Sequence, residues 1–183
     1  MNRLGDSLIV LTFALGGCGS AVEQISPELL RISARDALLE ARTAALGWND
    51  DATLRWVEGE GVTPDGYVLP PAGEWRFIYE APSSAEQLVV TVTSRTLEQA
   101  GRPRQSPPGY AIGDAVLEGE WIDSPTALAA ARAAGAEALV TRPGAAIAAL
   151  LVPLRPARWI IRVAAQGQTR EWQVDARTGQ ALP

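Results

Sequence analysis

WIIRVAAQGQTREWQVDARTGQAL, residues 159–182, is the stretch that decides the fold class of this chain. Trp159, Ile161 and Val163 alternate with residues of the opposite face, which is the period of a half-buried strand. Gln166-Gly167 makes a tight turn, and Thr169 to Asp175 returns as the partner strand. Asp175-Ala176-Arg177-Thr178-Gly179 is a second turn, in which Gly179 is expected to take a positive φ. The end of the chain is therefore an antiparallel meander.

Upstream of it, Ser124-Pro125-Thr126 opens a helix with a Ser cap and Pro at the first helical position. Ala127 to Ala134 favours helix and Gly135 ends it; a further helical turn is expected near Ala145 to Leu151. The first half has the same layout. Ser26-Pro27-Glu28 starts a helix, and Leu30, Ala34, Ala37, Leu38, Ala41 and Ala45 recur at helical spacing up to a stop at Gly47. Thr53 to Val57 is a strand, and a polar turn follows through Pro64-Asp65-Gly66. Trp75, Phe77 and Tyr79 then share one face of a strand that returns, after Pro82-Ser83-Ser84, with Leu88, Val90 and Val92. GRPRQSPPG, residues 101–109, is a stiff connector too rich in Pro and Gly for regular structure.

The expected fold class is α+β: two similar helix-plus-antiparallel-sheet units joined by a Pro/Gly-rich connector. The boundaries that follow are 26–98 for the first unit, 99–117 for the connector and 118–183 for the second unit.

Val174, Asp175, Ala176, Thr178, Gly179 and Leu182 resemble the V-D-A-x-T-G-x-L ending of PepSY domains, which are small helix-plus-sheet modules. EWIDSPTALAAARAAG, residues 120–135, looks like the opening of PepSY-like repeats in bacterial lipoproteins, through Trp121, Asp123, Ser124, Ala127 and Leu128. The likeness covers residues 118–183 and extends to the first half only by layout, as a degenerate copy. PepSY modules are associated with pro-regions and inhibitors of secreted peptidases and with extracytoplasmic sensors, so the resemblance implies a binding role.

The N-terminus reads as an address. One cation, Arg3, precedes an apolar run from Leu8 to Leu15, which is signal-peptide grammar and too short to span a bilayer as a permanent helix. Leu15-Gly16-Gly17-Cys18 resembles the bacterial lipobox and holds the chain's single Cys. That resemblance implies cleavage after residue 17 and diacylglycerol on the Cys18 sulfur, with residues 18–25 as a lipidated tether. More than one acyl chain, at about 0.8 kcal/mol per buried methylene, holds a protein stably at a membrane. Gly19 follows Cys18 where inner-membrane lipoproteins commonly carry Asp. The expected location is thus the bacterial cell envelope, periplasm-facing, at the outer rather than the inner membrane.

Composition narrows the chemistry. The 183 residues carry 16 basic side chains, all Arg, against 21 acidic ones, for a net charge of −5. That balance argues against nucleic acid as a partner. There is no His and no Lys. Ser-His, Cys-His and Ser-Lys catalysis and Schiff-base chemistry are excluded, as are imidazole metal ligands. Carboxylates remain: Asp50-Asp51, Glu58-Gly59-Glu60 with Asp65, and Glu118-Gly119-Glu120 with Asp123. They lack the spacing of a calcium loop and read as solvated turn residues. Of the six Trp, Trp75, Trp159 and Trp172 are expected in the core, while Trp48, Trp56 and Trp121 lie near element ends, where an exposed one would anchor a partner or sugar.

The expected function is that of a lipid-anchored, non-enzymatic binding protein without cofactor or metal, interacting with another envelope protein such as a peptidase. Two alternatives stay open: a carboxylate-dependent hydrolase of envelope glycans, and a purely structural envelope lipoprotein.

Overall fold

A computed structural model describes residues 31–93, 97–101, 104–105, 117 and 119–183, with backbone alone for 97–100 and 104–105. Three helices occur among the described residues: α1 (Ala34–Trp48), α2 (Ser124–Ala131) and α3 (Glu137–Val140). The strands are β1 (Thr53–Glu60), β2 (Glu74–Ala81), β3 (Glu86–Val92), β4 (Leu97–Ala100), β5 (Arg104–Gln105), β6 (Ala146–Val152), β7 (Arg158–Ala165), β8 (Gln168–Asp175) and β9 (Ala181–Leu182). All nine join one antiparallel sheet of order β4-β3-β2-β1-β6-β7-β8-β9, with β5 also pairing β3. The chain is α+β.

That order runs symmetrically outward from the β1/β6 pair, where Val57 lies opposite Leu151 and Gly59 opposite Ala149. In β7–β8 the turn residues Gln166 and Gly167 have φ of 52° and 75°, the twist that a two-residue hairpin requires. Gly179 takes its expected positive φ, 74°.

The core lies between the sheet and the helices, and its two sides differ in size. The helices bring Ala34, Ala37, Ala41 and Ala45 from α1 and Ala127, Leu128 and Ala131 from α2. The sheet brings Trp75, Phe77, Tyr79, Leu151, Trp159 and Ile161. Small residues on the helices let the backbones approach a layer of large side chains, filling the space at interior density. Trp75 and Trp159 meet edge to face with ring centroids 6.3 Å apart, and Trp121 stacks on Trp159 in the same manner at 5.9 Å. Each of the two strand Trp side chains also anchors the chain entering a helix. The Trp75 indole N–H donates to the Ile32 carbonyl at 3.2 Å, and that of Trp159 to the Ile122 carbonyl at 2.9 Å.

Several local expectations change. The first helix does not run through from Ser26, whose neighbourhood lies outside the described residues; Ile32 is extended and bridges Val68, and Ser33 caps α1. Gly47 is inside the last turn and the helix ends at Asn49, whose N–H reaches the Ala45 carbonyl. Asp123 rather than Ser124 caps α2. Gly135, at φ 106°, breaks the helical path with a π turn (Arg132–Ala136) that leads into α3 instead of ending it. The stretch expected as helix near 145–151 is not helical: Ala146–Val152 form β6, whose Ala, Ile and Leu side chains lie in the middle of the sheet. The 101–109 connector contains the two-residue strand β5, flanked by Pro103 and Pro107, as suits an edge.

Candidate functional site

The lipobox residues Leu15, Gly16, Gly17 and Cys18 lie outside the described residues, as does Glu118. Of the other singled-out carboxylates, Asp50 is exposed in the turn after α1. Asp51 accepts the Ser83 backbone N–H at 2.9 Å, and Asp65 accepts the Thr63 hydroxyl at 2.5 Å and pairs with Arg31. Asp123 accepts the backbone N–H groups of Ser124 (2.7 Å) and Arg35 (3.0 Å). Asp175 accepts those of Arg177 and Thr178 at 2.9 and 2.8 Å, and these bonds hold its carboxyl below the usual range. Glu120 is exposed. Asp51, Asp65, Asp123 and Asp175 thus serve turns and caps. Among the described residues no three acidic side chains converge to hold a metal ion, and no helix is long and apolar enough to cross a membrane.

Glu58 and Glu60 are different. They project from β1 on the sheet face that the described helices leave bare, opposite Val57 and Gly59. With Arg162 they rim a hollow of about 220 Å³ floored by Ala148, Leu150 and Ile160. The register that pairs Glu58 with Leu150, and Leu150 with Ile160, brings these residues together. Glu60 is engaged by Arg76 through two hydrogen bonds of 3.1 and 3.2 Å, and Glu58 accepts the Trp56 indole N–H at 3.0 Å. Arg162 in turn binds Glu171. Beside the hollow, Trp56, Ile78 and Val152 form a second apolar cluster against Val89, Leu150 and Ile160.

A separate cleft of about 320 Å³ opens on the helix side, between α1, the start of β1 and Leu117, Gly119 and Trp121. Leu38, Leu46, Leu54 and Leu117 wall it, and Arg42 and Tyr79 line it. The Tyr79 hydroxyl is buried and has no hydrogen-bond partner among the described residues; burial pushes its pKa above the usual tyrosine range. Leaving such a group unpaired costs about 1–3 kcal/mol.

Of the three Trp weighed as exposed anchors, Trp56 and Trp121 are buried and Trp48 is partly buried against the core. Neither the hollow nor the cleft is apparent from the sequence. The sequence singles out no role for Arg42, and Tyr79 only as one face of a strand.

The fold is similar to that of a candidate lipoprotein from Clostridium difficile 630, seen in a crystal structure. The TM-score is 0.54 at 10% identity, covering 80% of this chain and 90% of that one. At this identity the likeness is one of fold. No protein-family model matches the chain, and no curated protein matches it.

Proposed function

We propose that this chain is a lipid-anchored, non-enzymatic binding protein of the bacterial envelope, held at the outer membrane through Cys18, that engages another envelope protein such as a peptidase. Its body would be two PepSY-like units sharing one sheet. The sheet order about β1/β6 and the matching Trp75–Ile32 and Trp159–Ile122 hydrogen bonds support that reading. The lipobox resemblance and a fold shared with a candidate lipoprotein support the anchor.

The observation that carries the binding role is the hollow at the middle of the sheet. An apolar floor of Ala148, Leu150 and Ile160 inside a charged rim of Glu58, Glu60 and Arg162 has the layout of a protein interface. A sheet edge or the acidic loops offer no comparable apolar centre among the described residues. Affinity capture of the acylated protein from its native envelope should recover one reproducible partner, and Leu150→Arg should lose it. Capture of nothing reproducible, or equal capture by the variant, would refute this reading.

The hydrolase alternative draws on one observation, that Glu58 and Glu60 line the same hollow. Their existing bonds to Trp56 and Arg76 suit positioning better than proton transfer. Turnover of a cell-wall glycan that disappears in Glu58→Gln and Glu60→Gln would favour it.

A further inference from the structure

We propose that the open edge of β8, residues 168–172, takes up an extended peptide of another protein as an added antiparallel strand, and that it selects one bearing a carboxylate. At its opposite margin the sheet is covered, since β4 and β5 pair with β3. On this side β9 reaches only Gln173 and Val174, and among the described residues nothing pairs the outer side of β8 before them. In an antiparallel strand alternate residues turn both N–H and C=O to the same side. The Asp175 N–H points outward, donating to the Gln180 carbonyl, so those of Glu171 and Thr169 point outward as well. The two-residue turn at Gln166-Gly167 requires the same phase, because it makes Ala165 and Gln168 a hydrogen-bonded pair. The backbone groups of Thr169 and Glu171 thus form an exposed template, the feature that strand addition uses.

The side chains name the occupant. Arg170 and Trp172 share the helix-side face of β8, opposite Val163 and Ile161, while Thr169 and Glu171 lie on the other. Glu171 is already held by Arg162, whereas no ion pair among the described residues engages the exposed Arg170. Arg142 adds a second cation close by, since its guanidinium donates to Gln166 in the turn that opens β8. Residues 138–183 carry six Arg and two acidic side chains, a net +4 in a protein of net −5. A second copy meeting edge to edge would bring two such basic halves together, so charge favours an acidic partner. Trp172 is half-buried against the core and offers its remaining ring surface next to Arg170. An antiparallel peptide would therefore set an apolar residue opposite Trp172 and, two positions later, a carboxylate opposite Arg170. The hollow plays no part in this contact, which rests on the backbone of β8 rather than on an apolar floor.

Fluorescence anisotropy of the full chain with a labelled, end-blocked threonine peptide, carrying one valine and, two positions later, one glutamate, tests the proposal. The peptide should bind saturably, more weakly as salt is raised, and about fivefold or more tighter than its counterpart with lysine in place of glutamate. N-methylation of the alternate peptide amides that would face β8 should abolish binding. On the protein, Arg170→Glu changes an exposed side chain and should weaken binding about fivefold or more. Thr169→Pro removes one outward N–H and leaves the ladder to β7 whole, so the folded variant should also bind poorly. Leu150→Arg, which alters the hollow, should bind the peptide as the unaltered chain does. The proposal is overturned if the peptide fails to bind, or if the lysine or N-methylated peptide binds equally well. It is equally overturned if Arg170→Glu or folded Thr169→Pro binds as the unaltered chain does, or if folded Leu150→Arg loses the peptide.

Discussion

Gly59 and Trp75 face each other across β1 and β2, and the indole lies where a Gly59 side chain would be. A Cβ built on Gly59 would sit 2.2 Å from Trp75 Cζ3, and Trp75 is fully buried with its N–H tied to Ile32. Neither partner has room to yield, so Gly59→Ala should destabilise the protein by about 3 kcal/mol, at the upper end of overpacking costs. Urea unfolding reads this directly; a loss under about 0.5 kcal/mol would mean the ring is not packed against this backbone. Asp175 offers a second test at the same level. Its folded-state pKa is depressed by the N–H groups of Thr178 and Arg177. The carboxylate therefore contributes stability above the ordinary Asp range, and that contribution is lost as pH falls through the folded value. The stability gap between the unaltered protein and Asp175→Ala should narrow as pH is lowered from 5 towards 2. A gap that stays constant or widens would contradict the assigned hydrogen bonds.

The N-terminus of α1 is capped from two places, its own Ser33 and the start of α2. Ser33 caps α1 locally through Asp36, while the Ala34 N–H is taken by Ser124 Oγ at 3.0 Å and the Arg35 N–H by Asp123. Because Ala34 and Ser124 are both buried, Ser124→Ala strands a donor away from water. The expected cost is about 1–2 kcal/mol, accompanied by faster amide exchange at Ala34; unchanged exchange there would argue against the cross-cap. Gly47 shows the opposite case. It lies in the last turn of α1 with nothing within 4 Å of a built Cβ, so Gly47→Ala should stabilise by about 0.5–1 kcal/mol. Destabilisation in the same urea assay would restore Gly47 as a required helix stop.

These elements also show what the sequence can and cannot convey. The β2–β3 and β7–β8 hairpins were legible because their polar and apolar residues alternate around turn formers. Residues 145–151 were not, since Ala, Ile and Leu in the sheet interior lack that alternation and match a buried helix equally well. The start of α1 depends on Ile32 pairing with Val68, a contact that no local window contains. The hollow and the cleft arise from pairings far apart in the chain, Glu58 with Leu150 and Leu54 with Tyr79, so their residues could be named individually but not grouped.

Taken as one body, the protein has a continuous sheet with helices on one face and an apolar hollow on the other. The proposed tether, residues 18–25, would hold this body at a membrane surface. Acylation is thus the step on which the proposed role depends, and it leaves a definite mass signature. Mass spectrometry of the N-terminal peptide, taken from protein purified out of its native envelope, should find a chain that begins at Cys18 and bears diacylglycerol on the sulfur. An N-terminal peptide that retains residues 1–17 with an unmodified Cys18 thiol would contradict it.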